Sequence, residues 1–203
     1  LCGDYGLDSM IGMKAGLCEK EIQRNGLHAT SPVLDDLIKG NYNKFVKEEI
    51  QTGVEWRLRD PIIRKRYAED PLCNFDYTAG AYQDMFALAS IANTKKWCKV
   101  YPNYLAVMFM SGEMDPVGNY TNAIHATQKR LKHFGAKNVF FRYYPDERHD
   151  ILFDANAAKT LKDVAFFLKV VAKQQLQYSG MRENPMALSG PGMPENNLKA
   201  AEL

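Results

Sequence analysis

The 203 residues are enough for one substantial core, or one core with an inserted subdomain. With 46% hydrophobic and 25% charged residues the composition is that of a globular protein, and a net charge of +2 with no basic block argues against nucleic acid as a partner. No apolar run approaches the roughly 20 residues needed to cross a bilayer, so no integral membrane segment is expected.

Leu1-Cys2-Gly3 reads as the last residues of a strand entering a turn. The first residue is not Met, and neither a charged n-region nor an apolar h-region precedes it, so the chain is expected to be a fragment, which leaves a lost signal peptide open. Met10, Met13, Leu17 and Ile22 recur at roughly helical spacing, either as ordinary packing or as one wall of an acyl-binding cleft. Ser31-Pro32 suits a helix start, with Ser capping and Pro in the first position, and Leu34, Leu37 and Ile38 on one face. Gly40-Asn41-Tyr42-Asn43 breaks it, and Phe45, Val46 and Ile50 suggest another turn or two of helix.

Asp60-Pro61 predicts the next capped helix, running to about Glu69 and stopped by Asp70-Pro71. Thr78 caps a further one, with Tyr82, Met85, Phe86 and Ala89 at i, i+3, i+4 and i+7. Residues 17–99 therefore read as a mainly helical unit of short pieces.

From Tyr104 the texture changes. Tyr104–Met110 is a continuous apolar run of strand length, the pattern of a strand covered on both faces. A helix is predicted from about Asn119 to Phe134, with the stripe Tyr120, Ala123, Ile124, Thr127, Leu131 and Phe134, basic residues near its C-terminus and Gly135 ending it. Asn138–Tyr144 is the next strand. The last helix, about Asn156–Lys173, carries Leu161, Val164, Ala165, Leu168 and Val171 on one side. Strand, helix, strand, helix in this order implies parallel strands and an α/β sheet. The tail from about Ser179 is rich in Pro, Gly, Asn and Glu without periodicity and reads as a disordered extension.

The chemistry concentrates where the two strands end. The first strand delivers Asp115 into a Pro/Gly turn, and the second delivers His149 after Pro145. Catalytic residues of α/β sheets lie beyond the C-terminal strand ends. The two residues are 34 apart, which accommodates one helix and one strand and brings their loops side by side. An acid and a histidine so placed suit the activation of a nucleophile: His titrates in the right range, and a carboxylate on its other nitrogen fixes the tautomer. The neighbouring acids Asp146, Glu147 and Asp150 are expected to face water. His125 and His133 share the polar side of a helix with Lys129 and do not have metal-site spacing. Glu113 beside Asp115 is not a convincing glycosidase pair, and no phosphate loop appears. Four cysteines without CxxC spacing (Cys2, Cys18, Cys73, Cys98) read as buried free thiols of a reducing compartment rather than disulfides.

Met110-Ser-Gly-Glu-Met-Asp-Pro-Val-Gly118 and Tyr144-Pro-Asp-Glu-Arg-His-Asp150 resemble the α/β-hydrolases, and within them the bacterial lysophospholipase and monoacylglycerol-lipase-like, serine aminopeptidase-like group. There the penultimate strand ends in S-G-x-x-D-P-V-G and the last runs into Y-P-G-x-R-H-E-x-L. Asp60, Tyr67, Asp70-Pro71-Leu-Cys73, Phe75, Thr78 and Tyr82 look like the cap of these enzymes, and the resemblance covers about residues 1–173. It implies the C-terminal part of an α/β-hydrolase fold plus a helical cap: 1–16 closing a core strand and leading into the cap, 17–99 the cap, 100–175 the C-terminal part of the core, and 176–203 a disordered tail. It also implies Asp115 as triad acid and His149 as triad base, in the order Ser, Asp, His. The group's G-x-S-x-G nucleophile turn does not occur in this sequence, and Gly6-Leu-Asp-Ser9-Met does not fit it. The nucleophile and the oxyanion-hole amides are therefore expected upstream of this chain, and the chain alone is expected to be inactive. Asp146 stands where the group has Gly, and Asp150 where it has Glu. The implied activity is hydrolysis of small lipid-like carboxylic esters of lysophospholipid or monoacylglycerol type through an acyl-serine, with no cofactor and no metal, in a cytoplasmic setting. A non-catalytic hydrolase-like binding protein, or another chemistry of the fold such as a thioesterase, are the alternatives.

Overall fold

The computed structural model describes residues 11–92, 94–102 and 105–183, with side chains described to residue 173. Those up to Lys162 form one compact unit, and those from Asp163 a second, made of the remainder of the last helix. The expected strand at Leu1-Cys2-Gly3 and Met10 lie outside the described residues.

Five helices come first: α1 (Ile11–Asn25), α2 (Pro32–Lys39), α3 (Pro61–Glu69), α4 (Ala79–Ala92) and α5 (Lys95–Lys99). Their starts follow local capping. Ser31 Oγ accepts the Leu34 amide at 3.3 Å, with Pro32 in the first turn of α2. Asp60 Oδ1 accepts the amides of Ile62 and Ile63 at 2.8 and 3.0 Å, with Pro61 opening α3. Thr78 Oγ1 accepts the Ala81 amide at the head of α4. Each cap satisfies backbone donors that the helix itself leaves without partners. Cys18 of α1, Leu34 and Ile38 of α2, and Ala79, Tyr82 and Phe86 of α4 form one buried cluster, with Leu17 and Ile22 packed against it and Met13 exposed. Tyr82 keeps its hydroxyl satisfied there by donating to Asp35 Oδ1 at 2.5 Å.

The helix expected around Phe45, Val46 and Ile50 does not form. Asn43 instead closes a loop, its amide donating to the Gly53 carbonyl at 2.9 Å while its Oδ1 accepts the Trp56 amide at 2.8 Å. Glu55 Oε1 draws the amides of Gln51 and Thr52 onto one buried carboxylate oxygen. Side chains so arranged compete with helical backbone bonding, and here they prevail.

The second part alternates as expected: β1 (Val107–Gly112), α6 (Asn122–His133), β2 (Val139–Tyr144) and α7 (Ala157–Glu183). The strands are parallel and in continuous register from Val107 opposite Val139 to Gly112 opposite Tyr144, with Phe109 and Phe141 stacked across them. Both strands are half-buried over most of their length, rather than covered on both faces. Helix α6 begins later than its apolar stripe suggests, because Asn119, Tyr120 and Thr121 all take positive φ. It ends at Gly135 (φ +84), whose amide bonds to Lys132 O while that of Ala136 reaches Leu131 O. Gly is the residue that enters this left-handed position without a Cβ clash. Helix α7 continues to Glu183, ten residues beyond the predicted end, so 176–183 are helical rather than disordered, and 184–203 lie outside the described residues. Its Leu161 and Leu168 are exposed rather than core-facing. No helix among the described residues is long and apolar enough to cross a membrane.

Candidate active site

The parallel register ends both strands at one edge, at Gly112 and Tyr144, and the two loops leave together. The Glu113 amide donates to Tyr144 O at 3.0 Å and that of Met114 to Glu147 O at 2.9 Å, so the loop after β1 is pinned along the loop after β2. Gly112 is required by this approach, since an added Cβ would overlap the carbonyl oxygens of both Glu147 and Arg148.

Asp115 then heads an Asx turn: its Oδ1 accepts the Val117 amide at 2.9 Å and its carbonyl accepts that of Tyr120 at 2.9 Å. The left-handed run 119–121 is costly for Tyr and for β-branched Thr, and it folds the chain back so that Tyr120 stands beside the acid. Burial, with the Asp115 charge behind it, pushes the Tyr120 hydroxyl pKa upward.

His149 faces Asp115 across this edge. Its Nδ1 lies 3.0 Å from Oδ2 and 3.1 Å from Oδ1. The acid is largely buried, 11% exposed at its side chain, whereas the imidazole is 32% exposed. An ionised carboxylate only accepts, so Nδ1 is the donor of this contact, which leaves Nε2 on the far side of the ring. The structure thus brings together the two residues that the sequence singled out, in the geometry of an oriented base. Trp56 packs on the imidazole with ring centroids 5.3 Å apart, and Tyr42 packs on Trp56 at 4.8 Å.

The loop carrying His149 does not lie loose in water. Asp146 takes φ +60, which explains why glycine suits this place. Glu147, expected to be solvated, is buried and accepts from Asn156. Arg148 donates to the carbonyls of Glu55 at 2.6 Å and Leu58 at 3.1 Å and pairs with Glu48 at 2.7 Å. Burial of Glu48 works against its charge, but the hydrogen bonds from Arg148, its own amide and Arg64, with the Arg148 charge, together outweigh it and lower the carboxyl pKa. Asp150, also expected to be solvated, is half-buried and pairs with Arg57 through both oxygens, at 2.8 and 3.3 Å. Asp154 accepts the amides of Arg59 and Asp60 at 2.6 and 2.8 Å. Residues 55–60 thus form a second platform for the loop that carries His149. The only sequence signal for it was the run Trp56-Arg-Leu-Arg-Asp60, whose partners lie some 93 residues further on.

A cleft of about 340 Å³ is walled by Trp56, Met114 and Tyr120, neighbours of the pair, by Tyr42 and Phe45, and by the charged Lys47, Glu48, Arg59, Asp146 and Arg148; neither Asp115 nor His149 lines it. Phe45 meets Tyr120 edge to face at 5.4 Å. His125 and His133 are exposed on α6 as expected. Cys18 and Cys98 are buried free thiols, Cys73 is exposed, contrary to expectation, and Cys2 lies outside the described residues. No group of three His, Cys, Asp or Glu side chains stands together as a metal site among the described residues.

A family model described as serine aminopeptidase, S33, matches residues 18–156. Among solved structures, a highly thermostable carboxyl esterase from Bacillus coagulans, in complex with glycerol, matches with a TM-score of 0.66 at 20% identity, covering 80% of this chain and 53% of that one. A lipase in its open form matches with a TM-score of 0.70 at 18% identity, covering 85% of this chain and 54% of that one. The chain thus spans about half the length of either structure. At these identities the likeness is one of fold: helices about parallel strands, as in the α/β-hydrolases. A search of curated proteins gives no match.

Proposed function

The chain belongs to the serine aminopeptidase S33 family of α/β-hydrolases, and we propose that Asp115 and His149 are the acid and base of a serine hydrolase acting on carboxylic esters. The observation that carries this reading is the contact of His149 Nδ1 with both oxygens of a largely buried carboxylate, at 3.0 and 3.1 Å.

In this reading His149 Nε2 removes the proton of a serine hydroxyl as its Oγ attacks the ester carbonyl. Asp115 holds the Nδ1–H tautomer and stabilises the imidazolium that forms. The tetrahedral intermediate collapses with loss of the alcohol, which takes the proton from Nε2. Water, activated by the same nitrogen, then releases the acid. The sequence holds no G-x-S-x-G, so the serine and the oxyanion-hole amides come from residues N-terminal to these 203 in the complete protein, following the family's order Ser, Asp, His. The 203 residues alone are inactive, and 17–99 act as the cap over the site. The aromatic side chains and Met114 of the cleft, set among charged ones, support a lipid-like ester with a polar head, of lysophospholipid or monoacylglycerol type, over a peptide. The chemistry needs no cofactor.

The test is hydrolysis by protein expressed from the complete reading frame, offered p-nitrophenyl esters, a lysophospholipid, a monoacylglycerol and a peptide amide. Ester cleavage reduced about 10⁴-fold or more by His149→Ala is expected. Cleavage of the peptide alone overturns the substrate class. Robust activity of the 203-residue chain, lost in His149→Ala, overturns the external nucleophile.

A further inference from the structure

The residue after the base is clasped from one place. The Asp150 carboxylate accepts Arg57 Nε at 2.8 Å and its second nitrogen at 3.3 Å, and the Asp150 amide donates back to Arg57 O at 3.0 Å. Two side-chain bonds and one backbone bond between the same two residues fix the chain direction at Asp150, one peptide from His149. The guanidinium is itself wedged between rings, 4.6 Å from the centroid of Tyr67 and 5.1 Å from that of Trp56. Trp56 in turn packs on the His149 imidazole. Arg57 therefore reaches the base by two routes: through Asp150 along the backbone, and through Trp56 across the ring.

We propose that Arg57 is a positioning residue for His149, holding the imidazole at the Asp115 carboxylate through its two-pronged pair with Asp150 and its stack on Trp56. This rests on the hydrolase reading of the site for its catalytic consequence, though not for its structural one. The side chain type matters: the planar fork of Arg reaches both carboxylate oxygens while its cation sits over an aromatic ring, whereas a Lys ammonium is a point charge and cannot make the paired contact. Burial works to lower the Arg57 pKa, but the hydrogen bond and charge of Asp150, with Tyr67 and Tyr77, together outweigh it and raise the pKa.

The first readout is the tautomer of His149 in the 203-residue chain, followed by two-bond ¹H–¹⁵N correlation NMR. Wild type is expected to show the Nδ1–H form alone, as the Asp115 contact requires. Arg57→Gln and Asp150→Asn are expected to shift it toward the mixture of Nδ1–H and Nε2–H forms of a solvated imidazole, with Arg57→Lys between. Phe86→Leu, in the helical cluster away from the site, destabilises the fold and is expected to leave the tautomer unchanged. An unchanged tautomer in folded Asp150→Asn or Arg57→Lys, a mixed tautomer in Phe86→Leu, or mixed forms in wild type overturns the proposal. In the complete protein, Arg57→Lys is expected to lower kcat about 10- to 100-fold with KM within about twofold, the signature of a displaced base. A shift in KM alone contradicts positioning. If the complete protein shows no hydrolysis while the tautomer responds as stated, the hydrolase reading fails and the positioning of His149 stands; the reverse outcome separates them the other way.

Discussion

Asp154→Ala tests whether residues 55–60 hold the loop that carries His149. Asp154 is 2% exposed, and its carboxylate accepts three amides, those of Arg59 at 2.6 Å, Asp60 at 2.8 Å and Ala155 at 2.8 Å. Two of these donors belong to the platform and enter α3 directly at its cap. A hydrogen bond to a charged acceptor contributes about 1.5–3 kcal/mol net, and a buried donor left without a partner costs about 1–3 kcal/mol. The three are not additive, since they share one carboxylate and water reaches some donors once the side chain is gone. About 3–4 kcal/mol is therefore expected for Asp154→Ala, and about half of that for Asp154→Asn, which keeps one acceptor oxygen. Urea unfolding followed by Trp fluorescence reads both, with Trp56 in the platform as reporter. A loss below about 1 kcal/mol for Asp154→Ala would mean that the amides are satisfied without the carboxylate and that it does not hold the platform.

Gly112→Ala places a Cβ against the carbonyls of Glu147 and Arg148 and forces the two strand-end loops apart; a loss of about 2–3 kcal/mol is expected by chemical denaturation, together with weakening of the Asp115–His149 contact by NMR. Phe86→Ala, at a residue 2% exposed among α1, α2 and α4, is expected to cost about 3–5 kcal/mol in the same assay. Burial of Glu55 works to raise its pKa, but the amides of Thr52 and Gln51 and the Thr52 hydroxyl outweigh it and hold the carboxyl below its ordinary value. A carboxyl depressed in the folded state contributes stability that is complete above about 4.3 and drains away as pH falls through the lowered value. The stability gap between wild type and Glu55→Gln is thus expected to be largest at neutral pH and to narrow under acid, as measured by urea unfolding at pH 7 and pH 3; a gap that widens in acid contradicts the assignment.

The parts of the fold legible in the sequence are those governed by neighbours in sequence. Ser31-Pro32, Asp60-Pro61 and Thr78 each start a helix where expected, because a cap involves three or four residues. The acid and the histidine were legible because each follows a strand-length run ended by turn residues, and a parallel pair brings such ends to one edge. What escaped depends on distant partners. Phe45, Val46 and Ile50 carry a helical pattern, yet Asn43 is captured by Gly53 and Trp56. Asp150 and Glu147 look like solvated acids until Arg57 and Asn156 are folded against them. The left-handed run at Asn119, Tyr120 and Thr121 has no glycine to announce it. Helix α7 passes its predicted end because no Pro lies between Lys173 and Glu183 and the one glycine there, Gly180, is taken into the helix.

The most direct test of the central claim is labelling of protein expressed from the complete reading frame with a fluorophosphonate probe, which reports an activated serine without any choice of substrate. A single labelled serine is expected, in a G-x-S-x-G turn N-terminal to residue 1 of this chain, with labelling abolished by His149→Ala and strongly slowed by Asp115→Asn. Absence of labelling in the wild-type protein, or labelling that persists undiminished in His149→Ala, would contradict it.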